Sequence, residues 1–88
     1  MKYEFNLAGN VYGFEWNAAM QSWLLVRPDE SFVKVGYTMD VAFVNMWDYI
    51  ELPDCFTGNI ELAHRNIEIK IHQYFIQFDE SEIGGLTI

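Results

Sequence analysis

Four short apolar runs follow one another within the first 37 residues, each cut off by turn chemistry. That rhythm confines the chain to antiparallel β structure, because short connections join neighbouring strands that reverse direction. Lys2 to Leu7 alternates, with Tyr3, Phe5 and Leu7 on one side, the period of a half-buried strand. Ala8-Gly9-Asn10 is a turn, and Val11 to Trp16 reads as the returning strand of a hairpin. Gly13 inside that strand predicts a bulge or a close backbone approach. Ser22 to Arg27 is apolar almost without a break, as expected of a strand covered on both faces. Arg27-Pro28-Asp29-Glu30 forms a tight turn, since Pro28 presets φ at its second position. Phe32 to Tyr37 returns; Lys34 must reach water, so Val33, Val35 and Tyr37 are the expected core face.

Beyond Tyr37 the pattern changes. Thr38 is a candidate helix N-cap, and Asp40 falls in the first turn, where the helix dipole favours an anion. Val41 and Val44 share a helical face, with Met46 near it. The helix is short and its aliphatics are β-branched, so packing rather than propensity must hold it. Trp47 to Leu52 is expected to be a strand ended by Pro53, with a loop over 54–58. Asn59 to Leu62 reads as a brief strand, followed by a polar turn at His64-Arg65-Asn66. Ile67 to Phe78 is the longest alternating pattern. Ile67, Ile69 and Ile71 share one parity while Tyr74, Ile76 and Phe78 share the other, which predicts a β-bulge at His72–Gln73. Leu86 to Ile88 is a candidate edge strand. No repeat or linker composition divides residues 1–88, so a single domain is expected.

A chain of 88 residues buries only about 60–65% of its unfolded surface, which argues against a large enclosed active site. A hydrophobic content of 51% argues against disorder. No apolar run approaches the roughly 20 residues of a membrane-spanning helix. The start, MKYEFNLAGN, has no apolar signal-peptide core, and a cytoplasmic location is expected. Thirteen acids against five bases give a net charge of −8. Five scattered bases supply no phosphate-binding stripe, so direct nucleic-acid binding is disfavoured; a protein partner with a basic surface is permitted, and the acids also serve to keep an aromatic-rich small domain in solution. Cys55 is the only cysteine, which rules out an internal disulfide. It lies in DCFTG without a neighbouring cation to lower its thiol pKa.

No G-x-G-x-x-G, P-loop, C-x-x-C or H-E-x-x-H occurs. Ser22, Ser31 and Ser81 read as turn or surface serines. His64, Glu68 and His72 would point the same way along a strand, but alternate strand positions are about 6.6–6.8 Å apart. His64 and His72 could not then share an ion, and only a helix would make the spacing work. No metal site is expected. Asp48, Glu51 and Asp54 could do acid–base work if burial split their pKa values, but a solvated strand end suits them better. With Asp79, Glu80 and Glu82 they are the candidate partner-binding acids. Trp16, Trp23 and Trp47 are expected in the core; one left exposed would mark a binding surface.

Trp23 to Asp54 resembles the first half of the glycine cleavage system H protein, the lipoyl-carrying shuttle. That family shows a tryptophan-led strand, an acidic turn, V-G-[IF]-T-D-x-A with a short helix, then a G-D-I-V-x-V-E-L-P strand. The matching residues are Trp23, Asp29-Glu30, Val35-Gly36-Tyr37-Thr38, Asp40, Ala42, Asp48 and Glu51-Leu52-Pro53. The resemblance implies a mainly β fold, a small antiparallel barrel or sandwich of the lipoyl-carrier (hammerhead) type with one short helix. The family's carrier lysine lies in an E-S-V-K-A hairpin turn, and that motif is missing. Lys70, the only downstream lysine, has Ile67 three residues before it and lies within IEIKIH. The resulting expectation is a cofactor-free, non-catalytic H-protein-like domain that docks to a protein partner. Two alternatives stand beside it: an acidic inhibitor of phage type that blocks a basic nucleic-acid site on its target, and a lipoyl carrier using Lys70.

Overall fold

A computed structural model describes residues 2–52 and 58–77. Strands β1 (Lys2–Leu7), β2 (Asn10–Asn17), β3 (Ser22–Val26) and β4 (Phe32–Gly36) precede helix α1 (Met39–Met46), a 3₁₀ turn (Trp47–Tyr49) and helix α2 (Ile60–Phe75). The strands form one antiparallel sheet in sequence order, β1-β2-β3-β4. β1 and β4 are its edges, so among the described residues the sheet is open and no barrel closes.

The turns expected in the first 37 residues are all present. Leu7 pairs with Asn10 across a two-residue hairpin loop in which Ala8 (φ 54°) and Gly9 (φ 84°) are both left-handed, the pattern of a type I′ turn. The Gly9 N–H donates to Asn6 Oδ1 at 3.2 Å. At the next turn the Met20 N–H donates to Asn17 Oδ1 at 2.9 Å. Pro28 sits second in a turn closed by the Glu30 N–H on the Arg27 carbonyl at 2.8 Å.

The side of the sheet bearing Phe5, Tyr12, Phe14, Trp23, Leu25 and Val35 is covered by Met39, Ala42 and Met46 of α1 and by Ile67, Ile71 and Phe75 of α2. Phe14 stacks on Trp23 at 4.8 Å between ring centres, and Phe75 meets Trp23 edge-on at 4.9 Å. Offset and edge-to-face contacts of this kind add to the burial of area alone. Ser22 and Leu24, on the opposite face of β3, are each only 2% exposed, so this strand is covered on both faces as its unbroken apolar run foretold. Val35 belongs to the core, whereas Tyr37, expected beside it, is turned out to solvent where the chain enters α1.

β3 and β4 pair with a register break. Trp23 lies opposite Gly36 but Leu24 opposite Lys34, which leaves Val35 as an extra residue, a β-bulge. The bulge expected at His72–Gln73 does not occur, because that stretch is helical. Gly13 is not a bulge either: the β1–β2 register runs through it unbroken, and its missing Cβ leaves room for the Lys2 side-chain stem.

Three expected strands do not form among the described residues. Trp47 to Leu52 is a 3₁₀ turn followed by irregular chain; Ile50 and Leu52 pack against the core from it. Asn59–Leu62 and Ile67–Phe78 are not strands: residues 60–75 form α2, and Phe78 lies outside the described residues. Asn59 caps this helix by accepting the Leu62 N–H on its Oδ1 at 3.0 Å, and Glu61 lies in the first turn. Ala63, Ile67, Ile71 and Phe75 fall four apart and form the face that meets the sheet. The isoleucines favour strand locally, but burial of this stripe on the aromatic core outweighs that preference. Residues 53–57 and 78–88, with Cys55, Ser81 and the Leu86–Ile88 segment, lie outside the described residues.

Candidate functional site

α1 buries Met39, Ala42 and Met46 against the sheet, a stripe spaced three and four apart. This fixes what the other side shows. Val41 and Val44 are 46% and 74% exposed, and Tyr37, just before the N-cap residue Thr38, is 69% exposed. Val41 and Val44 lie three apart on the outer side of α1, and Tyr37 adds an exposed aromatic ring in the extended chain that leads into the helix. Asp40 and Asp48 are exposed at the borders of this surface. Asp40 accepts the Thr38 hydroxyl at 2.6 Å, and the Asn45 amide is directed to the Val35 carbonyl at 2.7 Å. The valines expected to pack this helix are therefore its free surface, and the methionines and Ala42 pack it instead.

A second cluster joins the 3₁₀ turn to α2. The Trp47 indole N–H donates to Glu68 Oε2 at 2.7 Å, and the His64 ring lies flat on the indole at 3.7 Å and 9°. Burial pushes the His64 imidazole below its usual pKa, against the opposing pull of Glu68 and Glu61. Because α2 is helical, His64, Glu68 and His72 share a side of it at four-residue spacing. Glu68 is taken up by the indole, however, and among the described residues no group of three ligating side chains converges. Phe43, Arg65, Ile69 and His72 border a shallow hollow of about 170 Å3 beside this cluster. Trp47, expected in the core, is partly buried with its N–H satisfied.

A concavity lies at one end of the sheet, an open cleft of about 360 Å3. Asn10 and Tyr12 enter it from β2, Arg27, Pro28 and Asp29 from the β3–β4 turn, and Tyr49 and Glu51 from the chain after α1. Arg27 Nε donates to Ser31 Oγ at 2.9 Å. The Ser31 hydroxyl and N–H in turn both donate to Asp29 Oδ1, at 2.5 and 3.0 Å. These bonds, and then the Arg27 charge, hold the exposed Asp29 carboxyl below its usual range.

The expected partner-binding acids do not form one group. Asp48 borders the exposed α1 surface, Glu51 lines the cleft, and Asp54, Asp79, Glu80 and Glu82 lie outside the described residues. Ser22 is buried and donates to the Gly36 carbonyl; Ser31 is a turn residue. Lys70 is exposed in the C-terminal half of α2, on neither a strand nor a β-turn tip. No helix of the described residues is long and apolar enough to cross a membrane. Comparison of the chain with protein-family models, with curated proteins and with solved structures finds no match in any of the three.

Proposed function

We propose that this chain is a non-catalytic docking domain that binds a protein partner through Tyr37, Val41 and Val44. The observation that supports this reading is the exposed apolar surface itself: Val41 and Val44 on a helix whose other face is committed to the core, and Tyr37 in the chain just before it, each about half to three-quarters exposed. Contiguous apolar surface on a small domain marks a place where something binds. Asp40 and Asp48 at its borders and the net charge of −8 select a partner whose own apolar surface has a basic rim. A carrier role through Lys70 forms no part of this proposal. The same charge supports a second reading, an acidic inhibitor that covers a basic nucleic-acid site on its target. Binding measured against ionic strength separates them. Docking through this surface weakens little with added salt, and occupation of a phosphate-binding site collapses steeply. Val44→Glu abolishes binding in the first case and leaves it nearly unchanged in the second.

A further inference from the structure

The Tyr12 side chain is only 4% exposed, yet its hydroxyl has no hydrogen-bond partner among the described residues. It is not sealed in, for among the described residues no side-chain polar atom is buried without a partner. Tyr12 lines the cleft at the end of the sheet, and its oxygen is open to solvent there. A phenol whose ring is held in the core while its oxygen stays open to a concavity is a fixed polar group placed to meet a ligand there.

The other lining groups decide the ligand's charge. Arg27 is the only cation among the described residues that line the cleft, and its charge is held beside Asp29 through Ser31. Glu51 is left as an uncompensated carboxylate at the mouth. Tyr49, 42% exposed, presents an aromatic surface there. A carboxylate, a phenol oxygen able to accept, and an aromatic face together suit an organic cation. An anion would meet Glu51 and Asp29 with only one guanidinium in return.

We propose that this cleft binds a guanidinium or ammonium side chain, with the cation between the Glu51 carboxylate, the Tyr12 hydroxyl and the Tyr49 ring. The docking reading enters only in saying that the side chain belongs to a basic residue of the partner; the site itself stands without it.

The test is a titration of the isotope-labelled chain with N-acetyl-arginine methylamide, followed by amide and tyrosine-ring NMR shifts. N-acetyl-citrulline methylamide, of the same shape without the charge, serves as the control. Saturable shifts at Tyr12, Tyr49 and Glu51 with the arginine compound, and none with citrulline, are expected. Tyr12→Phe and Glu51→Gln should each weaken the binding about tenfold while the spectrum stays dispersed. Val44→Glu should leave it unchanged, so that failure of the exposed α1 surface and failure of the cleft are read separately. Absence of saturable shifts, equal shifts with citrulline, or shifts spread over all the acidic residues would overturn the proposal.

Discussion

The Asn45 side chain of α1 donates to the Val35 carbonyl of β4 at 2.7 Å. Val35 is the extra residue of the β3–β4 bulge, and a bulged residue drops out of the ladder. Asn45 supplies the missing partner and at the same time holds α1 against the edge of the sheet. Covering an edge in this way also blocks pairing with a foreign strand. Asn45→Ala removes the donor but improves helix propensity by about 0.6 kcal/mol, so a net loss of about 1 kcal/mol is expected. Asn45→Asp sets a carboxylate against the carbonyl near the helix C-terminus and should cost more, about 2 kcal/mol. Urea unfolding midpoints of the two variants give the order; a stabilised Asn45→Ala would contradict it.

Gly36 and Gly13 separate backbone from side-chain obstruction. A Cβ at Gly36 would lie 2.9 Å from the Ala42 backbone nitrogen, and one at Gly13 would lie 2.8 Å from Lys2 Cδ. The two gaps are nearly equal, but the Lys2 stem can rotate away and the first turn of α1 cannot. Gly36→Ala is expected to lose about 2 kcal/mol and Gly13→Ala less than 1 kcal/mol. Thermal denaturation of both decides, and equal losses would show that α1 is not seated on β4 as described.

Ala8 carries a positive φ in a turn that glycine or asparagine fills more readily. Ala8→Asn should raise stability by about 0.5–1 kcal/mol without altering the sheet. An unchanged or lowered unfolding midpoint would argue that the hairpin does not use this turn.

His64 makes stability depend on pH. Its folded pKa lies below the ordinary value of 6.5, so the unfolded chain binds the proton more readily. The stabilisation is fully present above 6.5 and is lost as pH falls through the folded value. The Asp29 contribution is lost only below 3.8, well apart from it. Unfolding midpoints compared at pH about 7.5 and about 5.5 should fall in the wild type. His64→Phe, which keeps a ring on Trp47, should flatten the difference.

What could be read in the sequence followed the range of the forces involved. Ala8-Gly9, Pro28 and the alternation around Phe5 and Phe14 act over a few residues, and the four strands came out where they were expected. α2 was misread because Ile67, Ile69 and Ile71 alternate like a strand. The competing four-residue series Ala63, Ile67, Ile71 and Phe75 and the Asn59 cap were present but weaker by eye. The exposed valines of α1 were legible as a helical face, though not as the outer one, since that depends on where Met39 and Met46 find the core. The cleft was not legible at all: Tyr12, Arg27 and Glu51 meet only after the sheet has formed.

The docking reading is tested most directly by placing a photo-crosslinking residue, p-benzoylphenylalanine, at Val44 and, in a separate protein, at the exposed Val11 on the far face of the sheet. Irradiation in the cells that make the protein should yield one covalent adduct with a single protein from position 44 and none from position 11. No adduct from position 44, or the same adducts from both positions, would contradict a partner seated on α1.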